Sequence, residues 1–430
     1  MTTLLDRLRT VTAIVVLGFS TLAAPVRAQP PGPLPARPQP SDPFFDDTVV
    51  HEIRLNISSR DWQSLQIHYQ DNTYYACDFR WRDQVVRNIG IRSRGTGSRS
   101  GVKPGLRVDF DRYVTDQQFL GLKSFVFRNN TQDASSMHER LSMLLFRRLG
   151  LPASREAHAR LFVNDEYKGL YLIEESIDKT FLQETFHEDE GYLYKYEYSP
   201  DGQPYFFENR GSDPAAYVPL PFKPETHETD PRPEFIVQLV QAINQTSEAA
   251  FRSVIAQYLD LKRFVRHVAV ETFVADSDGF LSDYGGMNNY YLYQFQNSKL
   301  FTLIAWDKSE AFKGGYESSI FRNITDGRYA GQNRLLMRAL SYPDLYDAYL
   351  DALLDCVRSA GEPAPGSTNG PGWLEREVQR EYEQIRDAAR ADPTKPFTND
   401  DFERAASELG IFARHRGGFV AAAVSAARAR

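Results

Sequence analysis

Asp276-Ser277-Asp278-Gly279-Phe280 opens a segment that continues through Asp283 and Asn288-Asn289-Tyr290-Tyr291-Leu292-Tyr293. It ends in Ile304-Ala305-Trp306-Asp307-Lys308-Ser309-Glu310. Two short apolar runs, 289–295 and 300–305, read as the arms of a hairpin. A carboxylate in the preceding loop, a carboxamide where the hairpin starts and a carboxylate where it ends are placed to converge on one point. That set suits phosphoryl transfer. One Asp orients or deprotonates the attacking hydroxyl, while an Asn and a second Asp hold the divalent ion that neutralises the phosphates. Asp and Asn are also ordinary turn residues, so the segment alone leaves a plain loop open as the other reading.

Working outward, residues 233–275 keep helical periodicity, and helices are expected near 333–358, 373–391 and 399–429. Residues 200–232, rich in Pro, Gly and acids, read as a long insertion. The N-terminal half is different. Strands are expected at 51–57, 74–81, 85–92, 106–110 and 123–129, with a short helix at 59–65. Asp133-Ala134-Ser135-Ser136 opens a helix carrying Met137, Leu141, Leu144, Leu145 and Leu149, and Gly150 ends it. A hairpin turns at Asn164-Asp165-Glu166. The expected fold class is α+β: a β-rich N-terminal lobe over 46–175 with one main helix, and an α-rich C-terminal lobe over 176–430. A pocket between them is the default site.

The chain has 430 residues, 42% hydrophobic and 25% charged, which is the balance of a folded globular protein. A net charge of −7 provides no basic footprint, so no nucleic-acid partner is expected. Residues 1–28 read as a secretory signal: Arg7 and Arg9 precede an apolar run, and Val26-Arg27-Ala28 fits a cleavage site. No later stretch reaches membrane-spanning length, so no integral span is expected after cleavage. Residues 29–45 are proline-rich and read as a tether. The expected location is secreted, periplasmic or cell-surface. Cys77 and Cys356 are too few for a disulfide scaffold or a Cys-rich zinc site, and whether they pair is left open.

Arg92, Arg94, Arg99, Lys103 and Arg107 surround a Gly/Ser loop at 94–101, where backbone amides and cations can approach phosphate. The glycine spacing is neither a Walker loop nor the Gly-rich loop of protein kinases. Glu139 on the following helix is placed to pair with Lys103 or Arg107. Of Glu174 and Glu175, strand alternation lets only one face inward. No His-Glu-x-x-His or Gly-x-Ser-x-Gly motif occurs, and His267 reads as a packed histidine.

Nine segments in order resemble the CotH-type (spore-coat-protein-H) secreted kinases. They begin with Gly90-Ile91-Arg92-Ser93-Arg94-Gly95, Lys103-Pro104-Gly105-Leu106-Arg107-Val108-Asp109-Phe110 and Leu145-Phe146-Arg147-Arg148-Leu149-Gly150-Leu151-Pro152. Val163-Asn164-Asp165, Gly169-Leu170-Tyr171-Leu172-Ile173-Glu174-Glu175 and Gly191-Tyr192-Leu193-Tyr194-Lys195 follow. Asp278-Gly279-Phe280, Asn289-Tyr290-Tyr291-Leu292-Tyr293 and Trp306-Asp307 close the series. The resemblance covers about residues 48–320.

It implies an atypical protein-kinase-like, bilobal fold that uses ATP and Mg²⁺, or Mn²⁺ or Ca²⁺, to phosphorylate Ser or Thr of exported proteins. It further implies Asp278 as the catalytic Asp, and Asn289 and Asp307 as metal ligands. Arg107 or Lys103 would contact phosphate, with Glu139 as its ion-pair partner, and Arg94 joins them as a cofactor-binding residue. Glu175, rather than Glu174, and Lys195 would line the nucleotide pocket. The family pattern usually reads Trp-Asp-x-Asp, whereas this chain has Trp306-Asp307-Lys308-Ser309, with Glu310 one position late. His138 stands where the family often has Arg, and Asp276 rivals Asp278. A catalytically weak or dead kinase-like surface or binding protein is therefore the alternative.

Overall fold

The computed structural model describes residues 38–198, 202–367 and 370–429. The leader read over 1–28 and the first part of the tether lie outside the described residues. Among the described residues, seven strands close into a barrel: β1 (His51–Ile57), β2 (Tyr75–Trp81), β3 (Gln84–Arg94), β4 (Gly105–Asp109), β5 (Ser124–Arg128), β6 (Glu156–Val163) and β7 (Glu166–Glu175). Their order is β1-β2-β3-β4-β5-β7-β6. The pairings are antiparallel except β1 with β6, which is parallel and closes the barrel at Leu55↔Val163. The helix α1 (Ser59–Ile67) bridges β1 and β2, and α2 (His138–Arg148) lies in the chain between β5 and β6.

Strand alternation fills the barrel. In β1, Ile53, Leu55 and Ile57 point inward while Glu52 and Asn56 are exposed. At the β6–β7 turn, Asn164 and Asp165 both take positive φ (50° and 64°). Two left-handed residues in a row make a tight hairpin, which Asn and Asp tolerate. The tether expectation is corrected at its end. Asp42–Phe44 form a 3-10 turn that drives Phe44 into the barrel, with its ring 5.6 Å from Trp81, 5.1 Å from Phe119 and 5.0 Å from Phe125. Burying a phenyl ring is worth about 2–3 kcal/mol, enough to order a turn that proline has already stiffened.

The rest of the described chain is mostly helical: α3 (Lys179–Phe186), α4 (Glu234–Gln245), α5 (Glu248–Ile255), α6 (Leu261–Phe273), α7 (Arg334–Leu340), α8 (Pro343–Ala360), α9 (Trp373–Arg390) and α10 (Asn399–Arg428). The helix expected over 333–358 is two helices, because Pro343 cannot continue one and instead starts the next. A second sheet, in the order β11-β10-β8-β9, is built from β8 (Tyr192–Tyr196), β9 (Phe222–Pro224), β10 (Tyr290–Gln294) and β11 (Phe301–Ala305). The segment read as an insertion thus supplies a strand. It also buries Tyr205, Phe206, Phe207 and Tyr217, whose aromatic area holds it to the helices.

Helix α2 belongs to the barrel by sequence and to the helical part by packing. Its Leu141, Leu145 and Phe146 join the same apolar cluster as Val268, Phe273 and Leu353. Asp133 caps its start, accepting from the backbone of Ser135 and His138, both at 2.8 Å. Gly150 (φ +74°) closes its end. His267 packs in this core against Phe146. Cys77 sits in the barrel core and Cys356 in the helical core, both as free thiols. No described helix is long and apolar enough to cross a membrane.

A buried ion pair ties the segment after α9 to the barrel. Lys103 Nζ lies 2.6 Å from Asp392 Oδ2 and 2.9 Å from the Leu170 carbonyl, with both charged side chains at most 2% exposed. Burial pushes the Asp392 pKa up, but Lys103 outweighs it and holds the carboxyl below its usual value. A carboxyl depressed in the folded state stabilises above its unfolded pKa and loses that contribution as the pH falls. Asp392→Asn should therefore cost about 3–5 kcal/mol at pH 7. The gap to the parent should narrow below about pH 4, where the unfolded carboxylate takes up its proton. Urea unfolding at the two pH values reads this directly.

Candidate active site

The outer face of the barrel supplies one wall. Because Leu106, Val108, Phe125, Phe127, Tyr171 and Ile173 fill the interior, their neighbours must point out. The register Arg92↔Arg107↔Val126↔Glu174↔Glu156 sets Arg107 and two glutamates on that outer face, and Arg94 and Arg128 belong to it by alternation. Arg128 is the hub. Its Nε and Nη2 donate to the two Glu174 oxygens at 2.7 and 2.9 Å, and its Nη1 donates to Asp307 Oδ1 at 2.7 Å. Nη2 also lies 3.4 Å from Glu139 Oε1, and the guanidinium rests 5.1 Å from the Trp306 ring centroid.

This corrects two expectations. The partner of Glu139 is Arg128, because Lys103 is spent on Asp392, and the polar contact found for Arg107 is a 3.4 Å donation to Ser124 Oγ. The inward glutamate is Glu174, fully buried, and not Glu175. Alternation turns Glu175 to the other side, where Arg155 Nε lies 3.1 Å from Oε1. Lys195 is held by Glu197 at 2.6 Å and does not meet Glu175. Arg94 lies on the same face with its guanidinium 5.8 Å from the Trp306 ring. Arg94, Arg128, Glu139 and Ser309 line a small cleft with the loop 129–133. Among the described residues none gives the Arg94 guanidinium a hydrogen bond or a 4 Å ion pair, so its charge faces the cleft uncommitted.

One oxygen each of Glu139, Glu156 and Glu174 fall within 4.8 Å of one another, all three side chains being buried. Glu174 takes the guanidinium. Burial first, and for Glu156 the neighbouring carboxylates second, push Glu139 and Glu156 well above the usual carboxylate range. Burial disfavours the charged form of both, and Arg128 works against it.

The opposite wall is the loop between α6 and β10. Glu271, on the last turn of α6, accepts from the Phe280 backbone at 2.7 Å, and Asp276 Oδ1 accepts from the Asp278 backbone at 3.0 Å. Gly279 passes between them, where a Cβ would run into both carboxylates. Lys308, fully buried, joins Glu271 Oε1 at 2.5 Å, Asp276 Oδ2 at 3.0 Å and the Asn289 carbonyl at 3.2 Å. Asp276 is thereby consumed in a buried ion cluster. Its rival Asp278 remains half-buried, facing the open side of the loop.

Asp278 is ringed by neutral donors. Ser282 Oγ (3.0 Å) and Tyr198 Oη (3.2 Å) donate to Oδ1, and Asn288 and Asn289 Nδ2 (both 3.1 Å) donate to Oδ2. Burial, then the charge of Asp276, raises its pKa to about 6 against the pull of these bonds. Asn289 and Asp307 stand at the two ends of the β10–β11 hairpin, paired through Tyr290↔Ala305. Both take left-handed backbone, φ 56° and 49°, which Asn and Asp accept more readily than other residues with a side chain. Burial pushes Asp307 up, but Arg128 and Arg94 outweigh it and hold its carboxyl below the usual value.

The donor chemistry fits a hard divalent cation. Asn289 commits its Nδ2 to the Asp278 carbonyl (2.8 Å) and carboxylate, which turns Oδ1 away. Asp307 uses Oδ1 for Arg128 and for Ser309 Oγ at 3.1 Å. Two oxygens, one anionic, are left to offer. Glu310 does not replace the missing acid. It is held by Lys313 at 2.5 Å and by Tyr284 Oη at 3.3 Å.

The family profile of the CotH kinase proteins matches residues 91–420, three-quarters of the chain and all the residues just described from Arg94 to Glu310. The chain belongs to the CotH kinase protein family. Across 341 residues it is 23% identical to the inner spore coat protein H of Bacillus subtilis (strain 168), covering 78% of this chain and 86% of that protein. Among solved structures, this CotH-family chain is similar to the Helicobacter pylori proinflammatory kinase CtkA. The identity there is 10%, the coverage 76% of this chain and 94% of that one, and the TM-score 0.27. It is also similar to the HipA–HipB–operator DNA complex of Shewanella oneidensis MR-1, at 12% identity, 86% and 74% coverage and a TM-score of 0.37.

Sequence reasoning missed Arg128, Glu156 and Lys308 in this CotH-family site, and it weighed Glu174 but preferred Glu175. A signal existed for the first: Arg128 is an odd charge in the apolar strand Ser124-Phe125-Val126-Phe127, on the face opposite its phenylalanines.

Proposed function

We propose that this CotH-family protein is an exported ATP-dependent protein Ser/Thr kinase with a two-lobed, kinase-like fold. The observation that carries the reading is that the Asp278–Asn289 contact and the Asp307–Arg128 pair sit at the paired ends of one hairpin, through Tyr290↔Ala305. Asp278, ringed by neutral donors, takes the proton of an acceptor hydroxyl. Asn289 and Asp307 hold Mg²⁺ or Mn²⁺, which when bound neutralises phosphate charge. Arg94 supplies a cation to the phosphates, and Trp306 closes the cleft behind it. Positioning and charge stabilisation, already built into the hairpin ends and the Lys308 cluster, do most of the work. The leader read over residues 1–28 supports export and a surface or periplasmic location.

Protein starting at Gln29, incubated with γ-labelled ATP, Mg²⁺ or Mn²⁺ and casein, should label the casein. Asp278→Asn should cut the rate by about 10²–10⁴-fold at an unchanged melting temperature, the worth of a general base. Full activity in that variant would sink the role of Asp278.

A second reading is favoured by one observation: Arg128 already neutralises Asp307, and Ser309 replaces the second acid. Metal affinity depends on ligand charge, so a nucleotide-insensitive scaffold would follow. Thermal unfolding separates the two. A ligand at 100 times its Kd adds about 2.7 kcal/mol to the folded state, so ATP with Mg²⁺ should raise the melting temperature of a kinase and leave that of a scaffold unmoved.

A further inference from the structure

The hydroxyl of Tyr198, just beyond β8, makes two contacts that an attacking hydroxyl would need. It donates to Asp278 Oδ1 at 3.2 Å and accepts from Asn288 Nδ2 at 2.8 Å. Asn288 is itself bound to Asp278 Oδ2 at 3.1 Å and is only 7% exposed, so the donor and the acceptor form one rigid pair. Tyr198 is 40% exposed, and a Cβ at Gly285 would come within 3.0 Å of its ring. It fills a polar notch from outside rather than belonging to the core.

We infer that Asp278 Oδ1 and Asn288 Nδ2 form the subsite for the acceptor hydroxyl, and that Tyr198 occupies it as an internal competitor which a protein substrate must displace. The inference rests on the kinase reading and extends it to the acceptor. In the step it describes, the acceptor oxygen bonds to the γ-phosphorus of ATP. The bond from that phosphorus to the β–γ bridging oxygen breaks, its electron pair leaves on ADP, and the hydroxyl proton passes to Asp278. Asn288 holds the acceptor oxygen without taking its proton. The neutral phenol of Tyr198 meets the same two groups and so competes with a serine or threonine hydroxyl, not with ATP.

The test is steady-state transfer to casein with ATP and Mg²⁺ by the mature protein and three variants. Tyr198→Phe removes the competing hydroxyl and nothing else, so KM for casein should fall by about 2- to 10-fold, the worth of one hydrogen bond. KM for ATP should stay unchanged. Tyr198→Ala should lower KM for casein at least as far, and its exposure makes loss of folding no obstacle. Asn288→Ala should move KM for casein the opposite way. An unchanged or raised KM for casein in both Tyr198 variants, with transfer intact, would overturn the subsite and leave the kinase standing. No transfer by the parent protein, with nucleotide bound or not, would remove the kinase reading and the subsite together.

Discussion

Asp307→Asn will transfer no measurable phosphate to casein, a loss of at least about 10³-fold, while the protein keeps its melting temperature. The substitution keeps an oxygen for Arg128 and Ser309, so the fold has no reason to give way. What disappears is the anionic charge at the end of β11. With Ser309 in place of a second acid and Glu310 held by Lys313, among the described residues nothing beside it makes up the loss. Labelled-ATP transfer at saturating Mg²⁺ and again at saturating Mn²⁺ measures it. Activity near that of the parent would mean that Asp307 is no metal ligand, and the site assignment at the end of β11 would fall with it. The basic side of the site predicts a separate effect. Arg94→Ala should raise KM for ATP by about 10-fold or more, since an uncommitted guanidinium forms charge-assisted bonds of about 1.5–3 kcal/mol with phosphate.

Arg128→Met should cost about 3–5 kcal/mol of stability, read as a lowered urea midpoint. Its guanidinium serves Glu174, Asp307 and Glu139 at once, and Glu174 and Glu139 are almost wholly buried. Removing it leaves those carboxylates to shed their charge or draw in water. Arg128→Lys should recover only part of the loss, because an ammonium cannot span both Glu174 oxygens and Asp307 together. A change under about 1 kcal/mol in the methionine variant would show that the three acids are already neutral without it.

The reading from sequence and the finished fold agree where the signal is local. The hairpin at 289–305, the α2 cap at Asp133 and the left-handed turn at Asn164-Asp165 are each set by a few neighbouring side chains. The residue pattern pointed to a carboxamide where the hairpin starts and a carboxylate where it ends, and the resemblance named them as Asn289 and Asp307, residue types that suit the positive φ found there. The errors share a physical origin. Glu139, on the helix that follows, was matched to Lys103 or Arg107 beside the Gly/Ser loop, yet the partner of Lys103 lies 289 residues away at Asp392 and that of Glu139 is Arg128 on β5. Glu174 and Glu175 differ by one position, and which one faces inward depends on which side of β7 the barrel encloses. Alternation offers two registers, and only the pairing of β7 with β5 and β6 selects one.

What the sequence by itself determined, then, is the α+β character, the hairpin that carries Asn289 and Asp307, and the family. These follow from periodicity, turn chemistry and an ordered set of short motifs, all written within a few residues of where they act. The tertiary structure alone decided that the first sheet closes through a parallel β1–β6 pair, that Phe44 plugs it, and that Arg128 gathers Glu139, Glu174 and Asp307 at one point. Each of those joins segments dozens to hundreds of residues apart. Their energies come from burial and from charge compensation in a dry interior, quantities that exist only once the chain has folded around them.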